Sequence, residues 1–102
     1  MSESIIEQQC VRLAEKHGCL LIKQTGMKGL PDRLLLSPNG SSMWIEFKAP
    51  GQSLKPLQLH WQKKLRAMGQ EAEEVDSVQL FRTFLPALPP QNGFQQSIKY
   101  EV

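Results

Sequence analysis

The order of predicted elements, α-β-β-β-α-β, gives a mixed sheet flanked by helices, in the α/β or α+β class. Two observations carry that reading. Asn39-Gly40, a strong hairpin signal, lies between two short apolar runs at 33–36 and 43–48. A helical pattern then opens on Pro56 and separates the hairpin from a further run at 70–75, which suits a crossover connection.

The elements follow in order. Residues 4–16 read as a helix, with Ile6, Cys10, Leu13 and Ala14 at helical spacing and Gly18 as a stop. "CLLIK", residues 19–23, is a short apolar run suited to a buried strand. "QTGMKGLP" is a loop punctuated by Gly26, Gly29 and Pro31. The second long helix reaches about residue 68 with Leu57, Trp61, Leu65 and Met68 along one side, and Gly69 ends it. "QEAEEV" is the fourth strand, although its three glutamates make it a poor one by propensity. Asp76 or Ser77 caps a short final helix that places Val78, Phe81 and Phe84 on one face. Pro86, Pro89 and Pro90 break it, and the tail from residue 92 either adds an edge strand or wraps a partner.

A chain of 102 residues suits one domain, expected to span residues 1–102 with a core at 4–77 and an extension at 78–102. At 40% hydrophobic and 22% charged residues, the composition is that of a soluble globular protein. No apolar run approaches the roughly 20 residues that cross a bilayer. The start, "MSESIIEQQC", has no basic region before an apolar stretch, so the expected location is cytoplasmic. Cys10 and Cys19 lack ligand spacing and read as buried, reduced thiols. A net charge of +2 is compatible with an anionic partner without establishing one.

The unusual feature is charge inside the apolar hairpin. Asp32 opens one run, and Glu46-Phe47-Lys48 closes the other. Residues two apart on a strand share a face, so Glu46 and Lys48 project together while Phe47 turns into the core. Asp32 joins them only if the turn has the right parity. A two-residue turn at Asn39-Gly40 places Asp32 opposite Phe47, on the wrong face. An odd loop or a bulge places it across from Glu46 or Lys48. Clustered carboxylates call for a compensating charge, from Lys48 or a divalent cation. Oxygen ligands without His or Cys favour Mg²⁺ or Mn²⁺. The plain alternative is a surface salt bridge between Glu46 and Lys48, worth little.

"Pro31-Asp32 … Glu46-Phe47-Lys48" resembles the PD-(D/E)XK nuclease signature. More narrowly, "GLPDRLLL", "WIEFKAPG" and "LQLHW", in that order, resemble the VRR-NUC domains, the virus-type replication-repair nucleases. The resemblance implies a restriction-endonuclease-like core. It also implies that Asp32, Glu46 and the main-chain carbonyl of Phe47 hold the metal. Lys48 is implied to orient the attacking water and stabilise charge on the phosphate. A first-helix glutamate completes such sites; Glu7 aligns best, with Glu3 and Glu15 as rivals. Gln58 matches the family glutamine and bonds either the water or a metal ligand; otherwise it is an exposed helix residue. Lys55 stands where the family often has a Ser or Thr cap.

Lys28, Arg33 and Lys55 are the candidate DNA contacts, supplying affinity without sequence selectivity. Lys63, Lys64 and Arg66 read as a solvated helix face, and Trp44 and Trp61 as core. The resulting expectation is a metal-dependent, structure-specific DNA endonuclease in a bacterial or phage-infected cell, resembling Holliday junction resolvases and acting as a homodimer. The C-terminal segment is either its interface or a cover for the core. The alternatives are a flap- or nick-directed nuclease sharing every catalytic residue, and a nucleic-acid-binding module without turnover.

Overall fold

Ser2 starts the first helix, α1 (Glu3–Lys16), by accepting the Ile5 N–H on its Oγ at 3.2 Å. The computed structural model describes residues 1–88. Four strands follow the helix: β1 (Leu20–Lys23), β2 (Arg33–Leu36), β3 (Ser42–Phe47) and, after helix α2 (Pro56–Ala67), β4 (Ala72–Val75). A one-turn helix, α3 (Val78–Arg82), is capped by Ser77. The sheet runs β1-β2-β3-β4. Its first three strands are antiparallel, and β4 lies parallel to β3 across the α2 crossover. The expected order of elements is the observed one.

The β2–β3 hairpin settles the question of parity. Leu36 faces Ser42, and Ser37 N–H donates to the Ser41 carbonyl at 2.9 Å. A three-residue loop, Pro38-Asn39-Gly40, therefore replaces the two-residue turn that Asn39-Gly40 alone suggests. Gly40 N–H returns to the Ser37 carbonyl at 3.0 Å, and Gly40 takes φ +89°, a conformation open to glycine. Arg33 is registered against Ile45, so one further step sets Asp32 against Glu46.

This register divides the sheet into two unlike faces. Leu21, Leu35, Ile45, Phe47 and Val75 point to one side and are buried there under Ile6, Cys10 and Ala14 of α1 and Phe81 of α3. Phe47 and Phe81 meet with ring centroids 6.2 Å apart. The packed core thus continues past residue 77, with Val78, Phe84 and Leu85 partly buried against it. Both cysteines are buried and unpaired. Burial, reinforced by the charge of Glu7, pushes the Cys10 thiol up to about 12. β4 overcomes its poor propensity because Ala72 and Val75 are buried on opposite sides of the strand.

The second face carries Trp44, Glu46 and Ala72, with α2 packed along β4. Of the four apolar positions expected along one side of α2, only Leu65 is buried; Gln62 joins it, while Leu57 and Met68 are exposed. The reason lies in the support. The C-terminal half of α2 rests on β4, at the edge of the described sheet, where Arg66 Nε donates to the Ala72 carbonyl at 2.9 Å. The N-terminal half rests instead on the loop between β1 and β2. Gly29 of that loop has φ +86°, and a Cβ there would lie 2.4 Å from Leu57 Cγ and 3.0 Å from Trp61 Cδ1. The proposed edge strand or partner-wrapping tail, and most of the expected C-terminal interface, lie outside the described residues.

Gly29→Ala therefore combines a left-handed backbone with a collision against α2. It should lower unfolding free energy by about 1–3 kcal/mol, read as a shifted urea midpoint at unchanged slope. An unshifted midpoint would disprove the close packing of loop and helix.

Candidate metal centre

Asp32 sits one residue before β2, and its backbone is fixed by Gln24. The Gln24 N–H donates to the Asp32 carbonyl at 2.7 Å, and Gln24 Nε2 donates to the Pro31 carbonyl at 3.3 Å. Gln24 Oε1 also accepts the Met27 N–H at 2.9 Å, closing the loop on itself. Sequence reasoning missed Gln24, because a side chain that braces a loop follows no period.

Glu46 lies within β3, flanked by β2 and β4, and is only 5% exposed; Lys48 is 6% exposed. Strand alternation puts both on the Asp32 side, while the Phe47 side chain enters the core. Gln58, in the first turn of α2, bridges from the helix to the strand. Its Oε1 accepts the Lys55 N–H at 2.9 Å, and its Nε2 donates to Glu46 Oε2 at 3.4 Å. The amide is thereby oriented with its donor toward the carboxylate. Lys55 has no acceptor on its side chain, so only this returning half of a capping box forms.

Carboxylate oxygens of Glu3, Asp32 and Glu46 all lie within 4.8 Å of one another. The helix glutamate at this cluster is Glu3, one of the two rivals to the expected Glu7. Glu7, one turn later, is bound at 2.7 Å by Arg33 Nε, and Glu15 is exposed near the far end of α1. Arg33 also donates from Nη1 to the Leu21 carbonyl at 3.0 Å. Its guanidinium is thus engaged by both α1 and β1. Lys28 and Lys55 are exposed, in the β1–β2 loop and at the start of α2.

The cluster carries more negative charge than its surroundings neutralise. Burial, then the hydrogen bond and charge of Asp32, and more weakly Glu3, push the Glu46 carboxyl up to about 8, against the opposing pull of Lys48. Hard oxygen donors with excess negative charge suit a divalent cation, and no Cys or His thiol or imidazole belongs to the group.

The sequence profile of the VRR-NUC domain matches residues 2–79. The chain belongs to the VRR-NUC family. It is 38% identical over 88 residues to "Putative nuclease p44" of Acyrthosiphon pisum secondary endosymbiont phage 1, covering 84% of this chain and 94% of that protein. A solved structure described as a VRR_NUC domain aligns with a TM-score of 0.73 at 25% identity, over 80% of this chain and 91% of the other. The mixed sheet is thus the α/β architecture of PD-(D/E)XK nucleases, and the VRR-NUC chain is a metal-dependent nuclease.

The raised Glu46 carboxyl fixes the sign of a pH effect in EDTA. Below the ordinary value of 4.5 both folded and unfolded chains hold the proton; above it the unfolded chain releases it first, so Glu46's contribution to stability falls until about pH 8. Urea titrations across that range should show this decline, and Glu46→Gln should flatten it. An equal slope in the variant would remove Glu46 as the source.

Proposed function

We propose that the chain is an Mg²⁺- or Mn²⁺-dependent DNA endonuclease acting on branched DNA, in the manner of a Holliday junction resolvase, as a homodimer. The observation that carries the reading is the convergence of Glu3, Asp32 and Glu46 on the sheet face that also holds buried Lys48. The three carboxylates, with the main-chain carbonyl of Phe47, would hold the cation. When bound, such an ion lowers the pKa of water and withdraws charge from a phosphodiester.

The other steps belong to the chain's own side chains. Lys48 Nζ orients the attacking water and faces the negative charge that develops on the phosphoryl oxygens. Gln58 holds the Glu46 carboxylate in place through Nε2, so that its free lone pairs face the cluster. Lys28 and Lys55, exposed on two loops that pack near the site, meet the DNA backbone without reading bases.

The homodimer reading is supported by a part of the sheet that the described residues leave uncovered. Leu20 and Ile22 of edge strand β1 are 60% and 45% exposed, an apolar surface available to a second copy. Two copies would present one carboxylate cluster to each of two strands. No described helix is long and apolar enough to cross a membrane, and we place the protein with its DNA in the cytoplasm of a bacterial or phage-infected cell.

A labelled four-way junction, a flap and plain duplex, each incubated in Mg²⁺, Mn²⁺ or EDTA, provide the test. Symmetric, metal-dependent junction cuts are expected, reduced by about 10²–10³-fold in Lys48→Ala, with a dimer by light scattering. Cuts confined to the flap would reject the resolvase and keep the nuclease. Binding without cleavage in any metal would reject the catalytic reading.

A further inference from the structure

Glu3 reaches the carboxylate cluster from the first residue of α1, a helix end that would fray without an anchor. Its approach is also opposed electrostatically, since Asp32 and Glu46 repel it. The Ser2 cap closes the first turn but makes no bond to the sheet. Two contacts press this end of the helix down. One is Ile6, 1% exposed in the core. The other is polar: Arg33 Nε to Glu7 Oε2 at 2.7 Å, with both side chains more than four-fifths buried.

Glu3 and Glu7 are four residues apart, so they lie on one face of α1 and one turn along its axis. Arg33 is bonded at the same time to the Leu21 carbonyl of β1, which makes its guanidinium a three-way joint between α1, β1 and β2. It is also the residue next to Asp32. Adjacent residues project to opposite sides, so one dipeptide offers a carboxylate to the cluster and a cation to the helix that brings Glu3. An ion pair with this geometry fixes the position of α1 along its axis, which apolar packing of Ile6 alone does less well. A bidentate-capable guanidinium bonded to a carbonyl and a carboxylate has few other placements.

We propose that Glu7 and Arg33 are positioning residues, which act on the metal centre through Glu3 by setting the height of α1 against the sheet. The inference rests on the metal-dependent nuclease reading. Removing Glu7 should leave the cluster's own carboxylates intact and weaken cation binding because Glu3 no longer arrives in place. Residues that orient metal ligands from behind typically change affinity by about 10–100-fold.

Mn²⁺ titration by calorimetry, with urea unfolding of each protein, tests this on four forms: wild type, Glu7→Gln, Glu3→Gln and the double variant. Glu7→Gln should weaken Mn²⁺ binding about tenfold in the wild-type background and have no further effect once Glu3 is Gln. A merely structural role lowers the urea midpoint equally in both backgrounds and leaves the Mn²⁺ affinities unlinked. Equal loss of affinity in both backgrounds, or no loss in the first, overturns the proposal. Should Glu7→Gln fail to fold, Arg33→Lys, which keeps the charge pair, enters the same cycle and should show a smaller loss that again vanishes with Glu3→Gln. Absence of Mn²⁺ binding by the wild type would instead defeat the nuclease reading itself.

Discussion

The parity of one hairpin loop governs everything built on this sheet. Three loop residues between Ser37 and Ser41 set Asp32 against Glu46. One residue fewer would have turned Asp32 to face Phe47 and the core, separating the carboxylates by the thickness of the sheet. The same register sends Leu35, Ile45 and Phe47 beneath α1 and α3, so the core and the charged pocket are set together. A slip could not relocate the site without also exposing the apolar set. The hydrophobic effect on one face therefore enforces an arrangement on the other that electrostatics alone would disperse.

Glu46 shows how little freedom that leaves. It sits in a strand paired on both sides, so the backbone cannot withdraw it from Asp32. Gln58 supplies one donor and Lys48 a partial counter-charge, and the carboxyl still rises to about 8. A group so held has two ways to relieve its charge, a proton or a cation. The scaffold around it is correspondingly braced: Gln24 holds the backbone of Asp32, Gly29 lets the same loop touch α2, and α2 delivers Gln58. Each brace joins the cluster to a different element, which is how a small domain fixes several carboxylates close together.

Much of this was legible in the sequence where a period operates. Alternation separates Glu46 and Lys48 from Phe47, and the helical spacing of Ile6, Cys10 and Ala14 marks the buried face of α1. What periods do not give is position along an axis. Glu3 and Glu7 lie on the same helix face, and only the height of α1 against the sheet decides which meets Asp32. Nor does a residue's charge name its partner. By charge alone Arg33 reads as a phosphate contact, while in the fold Glu7 and the Leu21 carbonyl bond it. How α2 is supported was not legible for a related reason, since Leu57 and Trp61 lie against a loop glycine and no pattern announces that support. The odd hairpin loop was only half legible. Asn39-Gly40 by itself favours the shorter turn, and it was the need to bring Asp32 to Glu46 that demanded the longer one.

These two difficulties have a common physical origin in the Asp32-Arg33 dipeptide. Its residues point to opposite sides, so the register that aims Asp32 at Glu46 necessarily aims Arg33 at α1. The helix is then drawn to the sheet by a cation one residue removed from the carboxylate it must approach. Attraction on one side of the strand offsets repulsion on the other, and both are tied to a single backbone position. Glu3 could not be identified from its own neighbourhood in the chain, because what places it is an arginine 30 residues downstream.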